Sequence, residues 1–135
     1  MKKITKLITS ILIIAMSICI FAACTQTEEQ KTESEEQKVE AVAKNLLDAW
    51  AAGDGNKAAS LCTEIDIDGN DNLKERANEV ADIAKNMVYE ITKVTVTGNN
   101  AVVKVDITDQ GKTWEDKTLY LTKENDTWKI NGYSI

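Results

Sequence analysis

The sequence predicts an α+β fold, in which three N-terminal helices are packed on a four-stranded antiparallel meander. Apolar residues recur at spacings of three and four through the first half of the folded region and at spacings of two through the second. Turn-forming clusters punctuate the second half at short intervals. Helices followed by a run of strands, not alternating with them, argue for segregated layers around one core. The domain is read as residues 38 to 135, about a hundred residues, enough for one core and not for two.

The first helix is expected from about Val39 to Ala52, with Val39, Val42, Ala43, Leu46, Leu47 and Trp50 on one face and Gly53 as its stop. Asp54 is placed to cap a short second helix over Asn56 to Leu61, whose apolar side is Ala58, Ala59 and Leu61. Asn72 and Glu75 have the spacing of a capping box and open a third helix with the stripe Leu73, Ala77, Val80, Ala84 and Met87.

The period then changes to two. Tyr89 and Ile91 alternate, and Val94 and Val96 continue on the opposite parity, which predicts a bulge near Thr92 and Lys93. Ala101, Val103, Val105 and Ile107 form the apolar side of a second strand. Trp114, Leu119 and Leu121 belong to a third, and Trp128 and Ile130 to a fourth that continues to Tyr133 and Ile135. Gly98-Asn99-Asn100, Asp109-Gln110-Gly111 and Glu124-Asn125-Asp126 supply the turns.

This order of elements, with Ala-x-Gly-Asp at Ala51, Ala52, Gly53 and Asp54 and a terminal Asn125-Asp126-Thr127-Trp128-Lys129-Ile130, resembles the nuclear transport factor 2-like, or cystatin-like, superfamily over residues 38 to 135. Within it, the likeness is to domains of unknown function on bacterial lipoproteins. The resemblance implies a long helix lying in a curved sheet and a cone-shaped cavity between them that holds a small apolar ligand. Fold alone confers no function.

Upstream of the domain, Lys2, Lys3 and Lys6 precede an apolar run from Leu7 to Ala23, the layout of a secretory signal peptide over residues 1 to 23. Ala22 and Ala23 directly before Cys24 resemble the lipobox of bacterial lipoproteins, with Phe21 where that family usually has Leu. The resemblance implies that Cys24 becomes the acylated N-terminus and tethers the chain to the lipid bilayer of the cell membrane, on its extracytoplasmic face. The apolar run is shorter than the ~20 residues of a spanning helix. Residues 24 to 37 then form the lipidated cysteine and an acidic tether; Thr25 to Gln37 carry no apolar residue and are expected to be disordered.

Removing residues 1 to 23 leaves 13 basic against 22 acidic residues, a charge of −9. Such a surface repels phosphate backbones, so nucleic acid is not an expected partner. Cys62 is the one cysteine left after the signal and the lipidated position, so no disulfide within the mature chain is expected. There is no His, which removes the commonest general base and His-ligated zinc.

Three candidate sites follow. Glu64, Asp66, Asp68, Asn70 and Glu75 fall at positions of a calcium-binding loop, with Gly69 at the turn; Glu64 is longer than the usual Asp, and Asp71 stands where an apolar residue is usual. Each of these residues also has a separate explanation: Ile65 and Ile67 as a short strand, Gly69 as a turn, Asn72 with Glu75 as a cap. Trp50, Tyr89, Trp114, Trp128 and Tyr133 are candidates to line an apolar pocket, although with only seven aromatic residues in the chain the favoured reading is that they fill the core. A catalytic site would need partners the sequence does not offer, and Asp48 and Asp54 are explained by solvation and capping. The expectation is therefore a membrane-anchored lipoprotein whose domain binds a small ligand without a cofactor. The alternatives are a contact with an envelope protein through the outer face of the meander, around Thr118 and Tyr120, a calcium-stabilised domain, or an isomerase-like enzyme.

Overall fold

Ser34 opens the first helix, α1 (Glu35–Ala52), with its side chain accepting from the Gln37 backbone N–H while Gln37 reaches back to the Ser34 N–H. The structure, a computed structural model, describes residues 33 to 135. The signal segment, Cys24 and the tether as far as residue 32 lie outside the described residues. The helix thus begins four residues before the expected Val39, and Glu35, Glu36 and Gln37, assigned to the tether, are helical. The reciprocal cap supplies the local reason, since it satisfies two N–H groups that would otherwise lack partners. At the other end Gly53 takes a left-handed conformation (φ 71°) that a side chain would strain, and the helix stops there as expected.

Helix α2 (Gly55–Ser60) is capped by the Asp54 carboxylate, which accepts from Lys57 N at 3.0 Å. Helix α3 (Leu73–Ile83) differs from expectation at both ends. Asn72 precedes it with φ −109° and ψ 13° and makes no side-chain cap bond, because its backbone is not in the extended region from which an N-cap side chain can fold back. Met87 lies beyond the helix, after a turn in which Asn86 has φ 71° and its N–H donates to Ala51 O at 2.8 Å.

Four strands follow in the order β1 (Val88–Thr97), β2 (Asn100–Asp109), β3 (Lys112–Glu124) and β4 (Thr127–Ser134), each antiparallel to the next. All three connections are two-residue turns. In the last two both central residues have positive φ (Gln110 and Gly111, Asn125 and Asp126), the mirror-image turn that matches strand twist.

Each pair of strands carries one bulge. Thr92 is extra in β1, as the parity change predicts. Glu115 and Asp116 together oppose Asp106, with Asp116 at φ 55° and its N–H donating to Asp106 Oδ1 at 2.9 Å. Asn131 is extra in β4, which lets Trp128, Ile130 and then Tyr133 share one face. Bulges bend and twist the strands that carry them, so three across four strands produce a strongly curved sheet.

Helix α1 alone lies along the concave face, against β1, β2 and β4, while α2 and α3 pack on each other and on α1. The expectation that all three helices cover the sheet is corrected in this respect. Val39, Leu46, Leu47 and Trp50 of α1 and Val103, Val105, Leu119, Leu121 and Ile130 of the sheet are fully buried. Each large side chain contributes roughly 1.5 to 3 kcal/mol by leaving water. The close packing of α2 on α3 depends on Gly55, where an added Cβ would stand 1.6 Å from Asn78 Oδ1. The outer edge of β4 is not bare: Ile130 N donates to Leu61 O at 2.9 Å, Thr63 N to Ile130 O at 2.8 Å and Ile67 N to Asn131 O at 2.6 Å. A single parallel bridge joins Cys62 to Ile130, and the short strand expected through Ile65 and Ile67 is instead a bend and a turn. Both isoleucines are more than half exposed. Among the described residues, no helix is long and apolar enough to cross a membrane.

Candidate functional site

One end of the concave face is open. There the last residues of β2 and β4 and the first of β3 face α3 across a cavity of about 810 Å³. Val80, Ile83, Ala84 and Met87 come from the α3 side and Ile107, Trp114, Tyr133 and Ile135 from the sheet. Arg76, Glu79, Asp109 and Lys117 complete the lining. Ile83 is 77 % exposed and Ile135 43 %, so the apolar surface extends out to the mouth.

Of the five aromatic candidates, the structure brings Trp114 and Tyr133 into this cavity. Trp50 lies beneath it, fully buried, with its indole N–H donating to Ala77 O at 2.8 Å and its ring edge-on to Tyr133 at 5.1 Å. It is core, because α1 is pressed against both α3 and the sheet at that turn. Tyr89 is tied to Asp48 by a short hydrogen bond between α1 and β1 and does not line the cavity. Burial, with the Asp48 carboxylate beside it, raises the Tyr89 phenol well above its ordinary range. Trp128 is at the opposite end of β4, 4 % exposed, its N–H donating to Glu35 Oε2 at 2.8 Å. The alternative weighed for it, core, is where it stands.

The cavity's polar groups are unevenly satisfied. Arg76 donates to Asp66 Oδ2 at 3.0 Å and lies 5.3 Å from the Tyr133 ring centroid, over the ring's face. The Tyr133 hydroxyl is buried and has no hydrogen-bond partner among the described residues. Burial pushes it up to about 12, against the pull of Arg76. Lys117 was missed by the sequence reading. It pairs across the sheet with Val105, a fully buried residue of the concave face, so its side chain leaves the sheet on that same face. Among the described residues no carboxylate is within ion-pair distance of it. The signal was present: Trp114 and Leu119 are five residues apart, an odd spacing that demands a bulge between two inward residues.

The acidic loop is arranged differently from a calcium site. Asp66 Oδ1 accepts from Asp68 N, Asn70 N and Asn70 Nδ2 at 2.9, 2.8 and 3.2 Å, and Oδ2 from Asn70 Nδ2 and Arg76 Nη1 at 3.1 and 3.0 Å. Those bonds, the Asn70 backbone N–H first, hold its carboxyl below the usual carboxylate range. Glu64 is paired with Lys74. No group of three or more acidic or Cys side chains among the described residues is arranged to hold a metal ion. The loop is an Asx turn whose carboxylate faces N–H donors.

Cys62 is fully buried with Sγ 3.4 Å from Ala58 O, and burial pushes its thiol up to about 12. A thiol so protonated is a packing group, not a nucleophile. On the outer face Thr118 is buried beneath Lys104, whose ammonium donates to its hydroxyl at 2.7 Å, which leaves Tyr120 half-exposed beside it.

No family model matches the chain, and no curated protein matches it in sequence. Solved structures match in shape. A nuclear transport factor 2-like protein of unknown function from Shewanella baltica is 15 % identical, with a TM-score of 0.57 over 73 % of this chain and 90 % of that one. A second such protein of unknown function, from Silicibacter pomeroyi, is 16 % identical, with a TM-score of 0.58 over 71 % and 89 %. An uncharacterised cystatin-fold protein from Novosphingobium aromaticivorans is 17 % identical, with a TM-score of 0.51 over 69 % and 92 %. The fold is therefore nuclear transport factor 2-like, with the helices and curved four-stranded sheet of that architecture.

Proposed function

We propose that this protein is a lipid-anchored, extracytoplasmic binding module that takes a small apolar ligand into the open end of its sheet. The observation that carries the binding half is the cavity of about 810 Å³, walled by Ile107, Met87, Val80 and Trp114 and continued by exposed isoleucines at its mouth. Concave, mostly apolar clefts of 300 to 1,000 Å³ are the usual shape of small-molecule sites. Binding of this kind needs no metal or cofactor. The anchoring half is supported by Ala22, Ala23 and Cys24 after an apolar run, and two acyl chains there would hold the chain to a bilayer.

Native mass spectrometry of the protein isolated without added ligand tests the first half. A retained mass of a few hundred daltons, lost on denaturation, is expected; a bare chain at several isolation conditions would contradict it. For the second, metabolic labelling with an alkynyl fatty acid is expected to mark the protein and to fail in Cys24→Ser. Label persisting in that variant would refute anchoring at Cys24.

A further inference from the structure

We infer that the ligand of the cavity is an amphiphile with an anionic head, in its simplest form a medium-chain carboxylate, and that Lys117 selects it. This rests on the binding reading above and adds the chemistry of the head.

Lys117 occupies a place the fold would otherwise give to an apolar residue. Val103 and Val105 of β2 face Leu119 and Lys117 of β3, and the first three of these are fully buried core. A charged residue at such a position costs stability unless something compensates it. Arg76, which shares the cavity lining, is paired with Asp66, and Lys74 and Lys123 are paired with Glu64 and Glu35. Lys112 lies over the Trp114 ring, 5.0 Å from its centroid. Lys117 has no acid within ion-pair distance among the described residues, and it lines the cavity. Its long stem can run along the apolar wall and place the ammonium toward the mouth.

Two acids, Glu79 and Asp109, share the lining. Glu79 is exposed and Asp109 half-buried, and neither is within ion-pair distance of Lys117, which leaves its ammonium to a ligand. A ligand with an apolar tail for Ile107, Met87 and Val80 and a single negative head for Lys117 would complete the site.

The test is tryptophan fluorescence of the full chain in zwitterionic phospholipid nanodiscs, with empty nanodiscs as reference, titrated with octanoate and with octan-1-ol. Octanoate is expected to bind about tenfold more tightly than octanol. Lys117→Met is expected to remove that advantage, read as the ratio of octanoate to octanol affinity within each variant, and Lys117→Gln to do the same if Met perturbs folding; Lys117→Arg should keep it. Equal affinities in the unaltered protein, or an octanoate preference that survives both neutral substitutions, would overturn the inference while leaving an apolar binding module standing. Binding of neither compound would overturn the binding reading as well.

Discussion

Where β4 begins, the Lys38 and Lys123 ammonium groups and the Trp128 indole N–H converge on the Glu35 carboxylate at 2.9, 2.9 and 2.8 Å. Where β4 finishes, the Tyr133 hydroxyl has no partner and Lys117 no acid. Both ends use the same kinds of residue, a tryptophan, a lysine and the strands β3 and β4, with Lys117 and Lys123 separated by roughly 20 Å of extended chain. At the first end the groups close the fold by fastening the start of α1 to the turn between β3 and β4. At the second, Trp114 and Lys117 line a cavity. The contrast separates aromatic residues that hold the domain together from those available to a ligand, which their identity alone could not do.

The tryptophans give the largest test of that contrast. Trp128→Ala should cost about 3 to 5 kcal/mol in urea melts, as a buried aromatic deletion. Trp114→Ala should cost only about 1 kcal/mol, because its ring already borders solvent. A cost at Trp114 equal to that at Trp128 would break the distinction between a closed and an open end.

A smaller effect comes from protons. Lys38, Lys123 and Trp128 hold the Glu35 carboxyl at about 2, below its ordinary 4.5. A carboxyl depressed on folding stabilises the native state fully above its unfolded value and loses that contribution as pH falls toward the folded one. Glu35→Gln should therefore lower the melting temperature at pH 7, and the gap from the unaltered protein should close between pH 4.5 and 2. A gap independent of pH would mean that the carboxylate's charge does not fasten that end.

The smallest effect is expected at the open end. Tyr133→Phe removes a buried hydroxyl that has no partner and should change stability by less than about 0.5 kcal/mol or raise it. A loss above about 1.5 kcal/mol would show that the hydroxyl is satisfied after all.

Much of this architecture was written locally. The parity change between Ile91 and Val94 announces the β1 bulge, Gly53 announces the end of α1, and the three turn clusters fall between the strands they join. The closed end was not legible, because it joins Glu35 to Trp128 across most of the domain, and no local pattern carries a pairing of that span. The start of α1 was misplaced for a related reason: Glu35, Glu36 and Gln37 have the composition of a tether, and only the Ser34 cap distinguishes them. At the cavity, Trp114 and Tyr133 were legible as aromatic residues on apolar faces. Lys117 was not, since a lysine between Asp116 and Thr118 looks like an outward residue until the Glu115 and Asp116 bulge is counted.

The three indole N–H groups offer the most direct measurement. In ¹⁵N–¹H spectra of the protein titrated with octanoate, the Trp114 signal is expected to move with saturation, Trp50 to shift slightly through its contact with Tyr133, and Trp128 to stay fixed. Three static signals at saturating octanoate, or a Trp128 signal that moves the most, would contradict the assignment of the open end as the binding site.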